Sequence, residues 1–121
     1  MLSAKKILIV DNEAPIVALL KARLEMTYRV STALDGESGY QKAVQEKPDL
    51  ILSDIMMPGV DGFELMEKLK QHTSTQHIPV IFVSALSDTS SIYKAQDRGV
   101  ADYLIKPFDM EELSGCVKRY V

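Results

Sequence analysis

Short apolar runs and longer stretches of helical periodicity alternate five times along this chain. The run Ile7, Leu8, Ile9, Val10 ends at Asp11 and predicts a buried strand. Over residues 14–26, Ile16, Leu19, Leu20 and Leu24 recur at helical spacing, and Pro15 suits a first turn. Residues 28–33 are β-rich. Residues 36–47 place Tyr40, Ala43 and Val44 on one helical face and stop before Pro48. Leu50, Ile51 and Leu52 make a third strand that again runs into an acid, Asp54. A loop over 56–62 then leads into a helix whose Leu65, Met66 and Leu69 face inward. Residues 79–83 predict a fourth strand finishing at Ser84 and Ala85. Ser87, Asp88 and Thr89 offer N-caps to a fourth helix, which Gly99 terminates. Residues 102–105 predict a fifth strand, followed by Lys106, Pro107 and Phe108. The last helix is expected to bury Met110, Leu113, Val117 and Tyr120.

Strands that are apolar throughout, each followed by a helix, are buried on both faces and therefore parallel. The expected fold is α/β: a doubly wound, five-stranded parallel sheet of flavodoxin-like order 2-1-3-4-5, helices on both faces. No repeat or linker interrupts it, so residues 1–121 are expected to form a single domain. In such a sheet the site lies outside the carboxyl ends of the strands, where the strand order reverses.

Composition narrows the partners. Fourteen basic against seventeen acidic residues give a formal charge of −3, and no Lys or Arg run forms a basic stripe. Direct nucleic-acid binding is therefore not expected. No apolar stretch reaches membrane-spanning length and no leader pattern opens the chain, so the expected location is cytoplasmic. Cys116 is the single cysteine; its place in the last helix predicts a buried small side chain.

The residues just past the strands are Asp11 and Asn12, Asp54, Ser84 and Lys106. Strands one and three are neighbours in this order, so Asp11 and Asp54 converge. Two carboxylates in one cleft repel unless a cation separates them or one is protonated. Hard oxygen ligands suit magnesium, Lys106 reaches an oxyanion, and Ser84 adds a hydroxyl donor. Together they form a cradle for a phosphoryl group, with one carboxylate as nucleophile. His72 and His77 fall in a polar loop, where solvation is the expected state, and Pro58, Gly59 and Gly62 read as loop geometry.

Four blocks of this sequence, residues 7–13, 54–62, 84–85 and 103–108, resemble the motifs of response-regulator receiver domains of two-component signalling, the CheY-like family. The resemblance covers essentially the whole chain. It implies that Asp54 is the phosphoacceptor and that magnesium is held by Asp11, Asp54 and the backbone carbonyl of Met56. It implies that Ser84 and Lys106 bind the phosphoryl group, that Tyr103 and Ser84 switch, and that the Lys106-Pro107 bond is cis. The donor would be a histidine kinase or phosphotransfer protein, and the output partner is not named by the sequence. Signalling would pass through the face of helix four, strand five and helix five, without enzymatic turnover beyond slow loss of the phosphoryl group.

Asn12 departs from the family, which usually has a second metal-binding acid there. Two carboxylates beside Lys106 make a formal −1, so Asn12 is expected to bind metal weakly or indirectly and Asn12→Asp to bind it better. Receivers of winged-helix transcription factors usually carry an acid before Asp102 and an arginine in the last helix for cross-dimer ion pairs. Ala101 and Cys116 stand in those places, so no dimer of that type is expected. Three other functions compete with this one. A flavin mononucleotide carrier needs a phosphate-cradling loop where Asp11, Asn12 and Glu13 stand. An aspartyl phosphatase needs an acid where Met56 stands. A receiver-like module that is never phosphorylated is the alternative that Asn12 favours.

Overall fold

The computed structural model describes residues 4–121. The first three residues, which enter the leader expectation, lie outside the described residues. Ten elements alternate: β1 (Lys6–Val10), α1 (Ala14–Leu24), β2 (Arg29–Ala33), α2 (Gly36–Glu46), β3 (Leu50–Ser53), α3 (Gly62–Gln71), β4 (Val80–Ser84), α4 (Thr89–Asp97), β5 (Asp102–Ile105) and α5 (Met110–Lys118). The sheet order is β2-β1-β3-β4-β5 and every pairing is parallel, as the apolar runs predict.

Each inner strand divides its side chains between two cores. Leu8, Val10, Ile51, Val80 and Phe82 join Leu65, Met66 and Leu69 of α3 and Ala43 of α2 on one face. Ile7, Ile9, Leu50, Leu52, Ile81 and Val83 join Leu20 and Leu24 of α1 and Leu113 and Val117 of α5 on the other. Burial on both faces explains why these strands show no polar alternation.

The helices start where acids cap them. Asp35, Asp61, Asp88 and Asp109 each accept a backbone N–H from three residues on, and Asp61–Glu64 and Asp109–Glu112 are complete capping boxes. Gly99 takes φ +87° just past α4. Two sequence-based readings shift. α1 ends at Leu24 and buries Val17, Leu20 and Leu24, leaving Leu19 53% exposed. In α5, Cys116 is buried with Leu113 and Val117, while Met110 and Tyr120 are only half-buried. Among the described residues no helix is long and apolar enough to cross a membrane.

Candidate functional site

Pairing of Val10 with Ser53 puts the next residues, Asp11 and Asp54, side by side. The Asp54 amide donates to the Val10 carbonyl (2.9 Å) and the Asp11 amide to the Ala33 carbonyl (3.1 Å), so both acids leave the sheet from pinned backbone. Both residues are buried, Asp11 at 2% and Asp54 at 5% exposure. Their oxygens are divided in the same way. Asp11 Oδ1 accepts the Glu13 amide (2.9 Å) and Asp54 Oδ1 accepts the Ile55 amide (2.7 Å). Asp11 Oδ2 and Asp54 Oδ2 both face Lys106 Nζ, at 2.9 and 3.2 Å.

Lys106 arrives from β5 through a backbone bond of its own, its amide donating to the Ser84 carbonyl (2.8 Å), and the Lys106-Pro107 peptide is cis. Burial opposes its charge, but the carboxylates of Asp11 and Asp54 outweigh that and raise its pKa. Burial pushes the Asp11 pKa up, and the Asp54 charge adds to this. The bonds from Lys106 and the Glu13 amide offset it only in part.

Ser84 is fully buried, and its Oγ accepts the Leu86 amide (3.2 Å). The Leu86 carbonyl in turn accepts the Tyr103 hydroxyl (2.6 Å), whose ring sits edge-on against Phe82. The resemblance implies a switching role for Tyr103, and in this structure its hydroxyl is tied to the β4–α4 loop. The Met56 side chain is 64% exposed at the mouth of the site, and Asn12 is exposed. His72 is not simply solvated: it is half-buried, its Nδ1 accepts the Ser74 amide (3.1 Å), and its ring meets Tyr40 edge-on.

One residue escaped the sequence reading. Glu13 Oε1 lies 3.3 Å from Lys106 Nζ, so the ammonium touches three carboxylates, not two. The formal charge of the cluster is therefore −2, not −1. The signal was present in the acid placed two residues after Asp11. Oxygens of Asp11, Glu13 and Asp54 lie within 4.8 Å of one another. An all-oxygen donor set around a place already taken by an ammonium fits a small hard cation.

A buried acidic pair, a lysine and a hydroxyl at the switch point of a 2-1-3-4-5 sheet define a phosphoryl-handling signalling domain. The family model for the response regulator receiver domain matches residues 7–118, and the chain belongs to that family. It is 42% identical over 114 residues to the DNA-binding dual master transcriptional regulator RpaA of Synechocystis, covering 93% of this chain and 47% of that protein. It is 41% identical over 116 residues to the response regulator ArlR of Staphylococcus aureus, covering 93% of this chain and 51% of the relative. The chain thus spans about half the length of these relatives. The chemotaxis protein CheY4 of Vibrio cholerae superposes with a TM-score of 0.92 at 27% identity, covering 98% of this chain and all of that one. The receiver domain of the sensor histidine kinase PA1611 of Pseudomonas aeruginosa superposes at 0.89 and 26% identity, covering 98% of each chain. That structure holds a magnesium ion coordinated in its active-site cleft. The chain is a receiver domain of two-component phosphorelay signalling, and nothing in these likenesses favours the silent module.

Proposed function

We propose that Asp54 accepts the phosphoryl group, from a histidine kinase or phosphotransfer protein, with magnesium bound in the acidic pocket. The observation that carries this reading is Lys106 Nζ held against the oxygens of Asp11 and Asp54 that are not tied to backbone amides. Asp54 Oδ1 is committed to the Ile55 amide, so Oδ2 is the oxygen free to attack. The phosphorus–nitrogen bond of the donor phosphohistidine breaks as the bond to Oδ2 forms, and the imidazole leaves. Lys106 stabilises charge on the transferring oxygens, and Ser84, which accepts from Leu86, keeps its own proton to donate to one of them. Asp11, Asp54, the Met56 carbonyl and, more weakly, Asn12 would hold the magnesium, which when bound neutralises charge on the phosphoryl group.

Once formed, the dianionic acyl phosphate pulls on Ser84 and Lys106. Leu86 couples Ser84 to Tyr103, so the pull reaches the face of α4, β5 and α5. Loss of the phosphoryl group to water resets the domain, which turns over no other substrate. Residues 1–121 act as one domain of a cytoplasmic protein with a downstream partner or output domain, and not by direct nucleic-acid contact of this domain. The test is intact mass after incubation with acetyl phosphate. Wild type gains one phosphoryl group only with magnesium, and Asp54→Ala gains none. Absence of any gain in wild type favours the silent module.

A further inference from the structure

We propose that Glu13, and not Asn12, supplies the second acid of the metal pocket; this rests on the magnesium-dependent reading above. Of the five helices, α1 alone has a glutamate at its N-cap, and that glutamate caps nothing with its side chain. The aspartates at the other four N-caps all accept a backbone amide three residues on. The shorter aspartate side chains suit that cap, whereas the glutamate carboxylate is left to meet the Lys106 ammonium, 3.3 Å from Glu13 Oε1.

The backbone of Glu13 is fixed while its carboxylate is not. Its amide donates to Asp11 Oδ1, and its carbonyl accepts the amides of Ile16 and Val17. Its side chain is 57% exposed, against 2% for Asp11 and 7% for Asp54. Asp11 and Asp54 therefore form a rigid floor, and Glu13 is a tethered arm that closes over whatever cation rests on it. The Lys106 ammonium is one such cation. A divalent cation held by Asp11 and Asp54 would attract the Glu13 carboxylate through the same charge. The exposed neutral amide of Asn12 offers no comparable attraction. The acid usual in the family at position 12 is thus replaced by one a residue further on.

The test is calorimetric titration with magnesium, and separately with manganese, of wild type, Glu13→Gln, Asn12→Ala, Asp54→Ala and the double variant Glu13→Gln/Asn12→Asp. Glu13→Gln is nearly isosteric and loses no cap bond, so its fold is not at stake. Its affinity is expected to fall about tenfold, clearly more than that of Asn12→Ala, and Asn12→Asp is expected to restore it in the double variant. Unchanged affinity in Glu13→Gln, or a larger loss in Asn12→Ala, overturns the proposal while leaving the pocket itself standing. Wild type binding no more magnesium than Asp54→Ala overturns the pocket and the proposal together.

Discussion

Lys106 holds the three carboxylates of the site together, and Asp11 carries the cost of that arrangement. Its pKa lies above the ordinary 3.8 because burial and the neighbouring Asp54 disfavour its charge. A carboxyl raised on folding favours the native state below its unfolded pKa, and that contribution is lost as pH rises through the folded value. At neutral pH the ionised Asp11 is therefore a cost to the fold. Asp11→Asn is expected to melt above wild type in chelator at neutral pH. The gap should close as pH falls toward 3.8. A lower melting temperature for the variant at neutral pH would show that its bond to Lys106 outweighs the repulsion. Asp11, Asp54, Ser84 and Lys106 were legible in the sequence because each follows a strand whose apolar run marks its end. Glu13 was not, because the direction of an N-cap side chain depends on a lysine 93 residues away.

Among the elements, the loop from β3 to α3 bears most directly on the phosphoacceptor. It is closed by the Gly62 amide donating to the Ile55 carbonyl (2.8 Å) and by the Asp61–Glu64 capping box. A Cβ at Gly62 would collide with the Asp54 carbonyl oxygen and come within 2.8 Å of Ile55 Cα, so the loop packs directly on the backbone of the acid. Gly62→Ala is expected to cost about 1–3 kcal/mol in denaturant unfolding and to slow phosphoryl acceptance by displacing Asp54. Asp61→Ala removes only the cap and is expected to cost about 1 kcal/mol with acceptance nearly intact. Equal loss of acceptance in both would mean that helix stability, and not the seating of Asp54, governs the loop. The glycine's presence was visible in the sequence, but its reason lies in a contact across the loop. The phase of α1 escaped for a related cause: Leu19 fits the helical period as well as Val17 does, and only the sheet decides which one it covers.

At the scale of the molecule, the proposed route from the pocket to the α4–β5–α5 face runs through a few backbone-tied groups. On that face Arg119 Nη2 donates to Asp102 Oδ2 at 2.7 Å within one chain, and Ala101 and Cys116 stand where cross-dimer partners would be. The phosphorylated chain is therefore expected to sediment as a monomer; a phosphorylation-dependent dimer broken by Arg119→Ala would contradict this. The strand order was legible from the alternation of strands and helices, and the family from the blocks that follow four of the strands, ending in two acids, a serine and a lysine. The already seated Tyr103 was not, since its hydroxyl partner is a backbone carbonyl in another loop.

If one carboxylate, Asp54, becomes an acyl phosphate, the modified residue can be located chemically. The chain is incubated with acetyl phosphate and magnesium and reduced with borohydride, which converts an aspartyl phosphate to homoserine. Peptide mass spectrometry then reads the position. The expected mass change falls at Asp54 alone, and only when magnesium is present. A change at Asp11, Glu13 or any other residue, or none in a protein that binds magnesium, would contradict it.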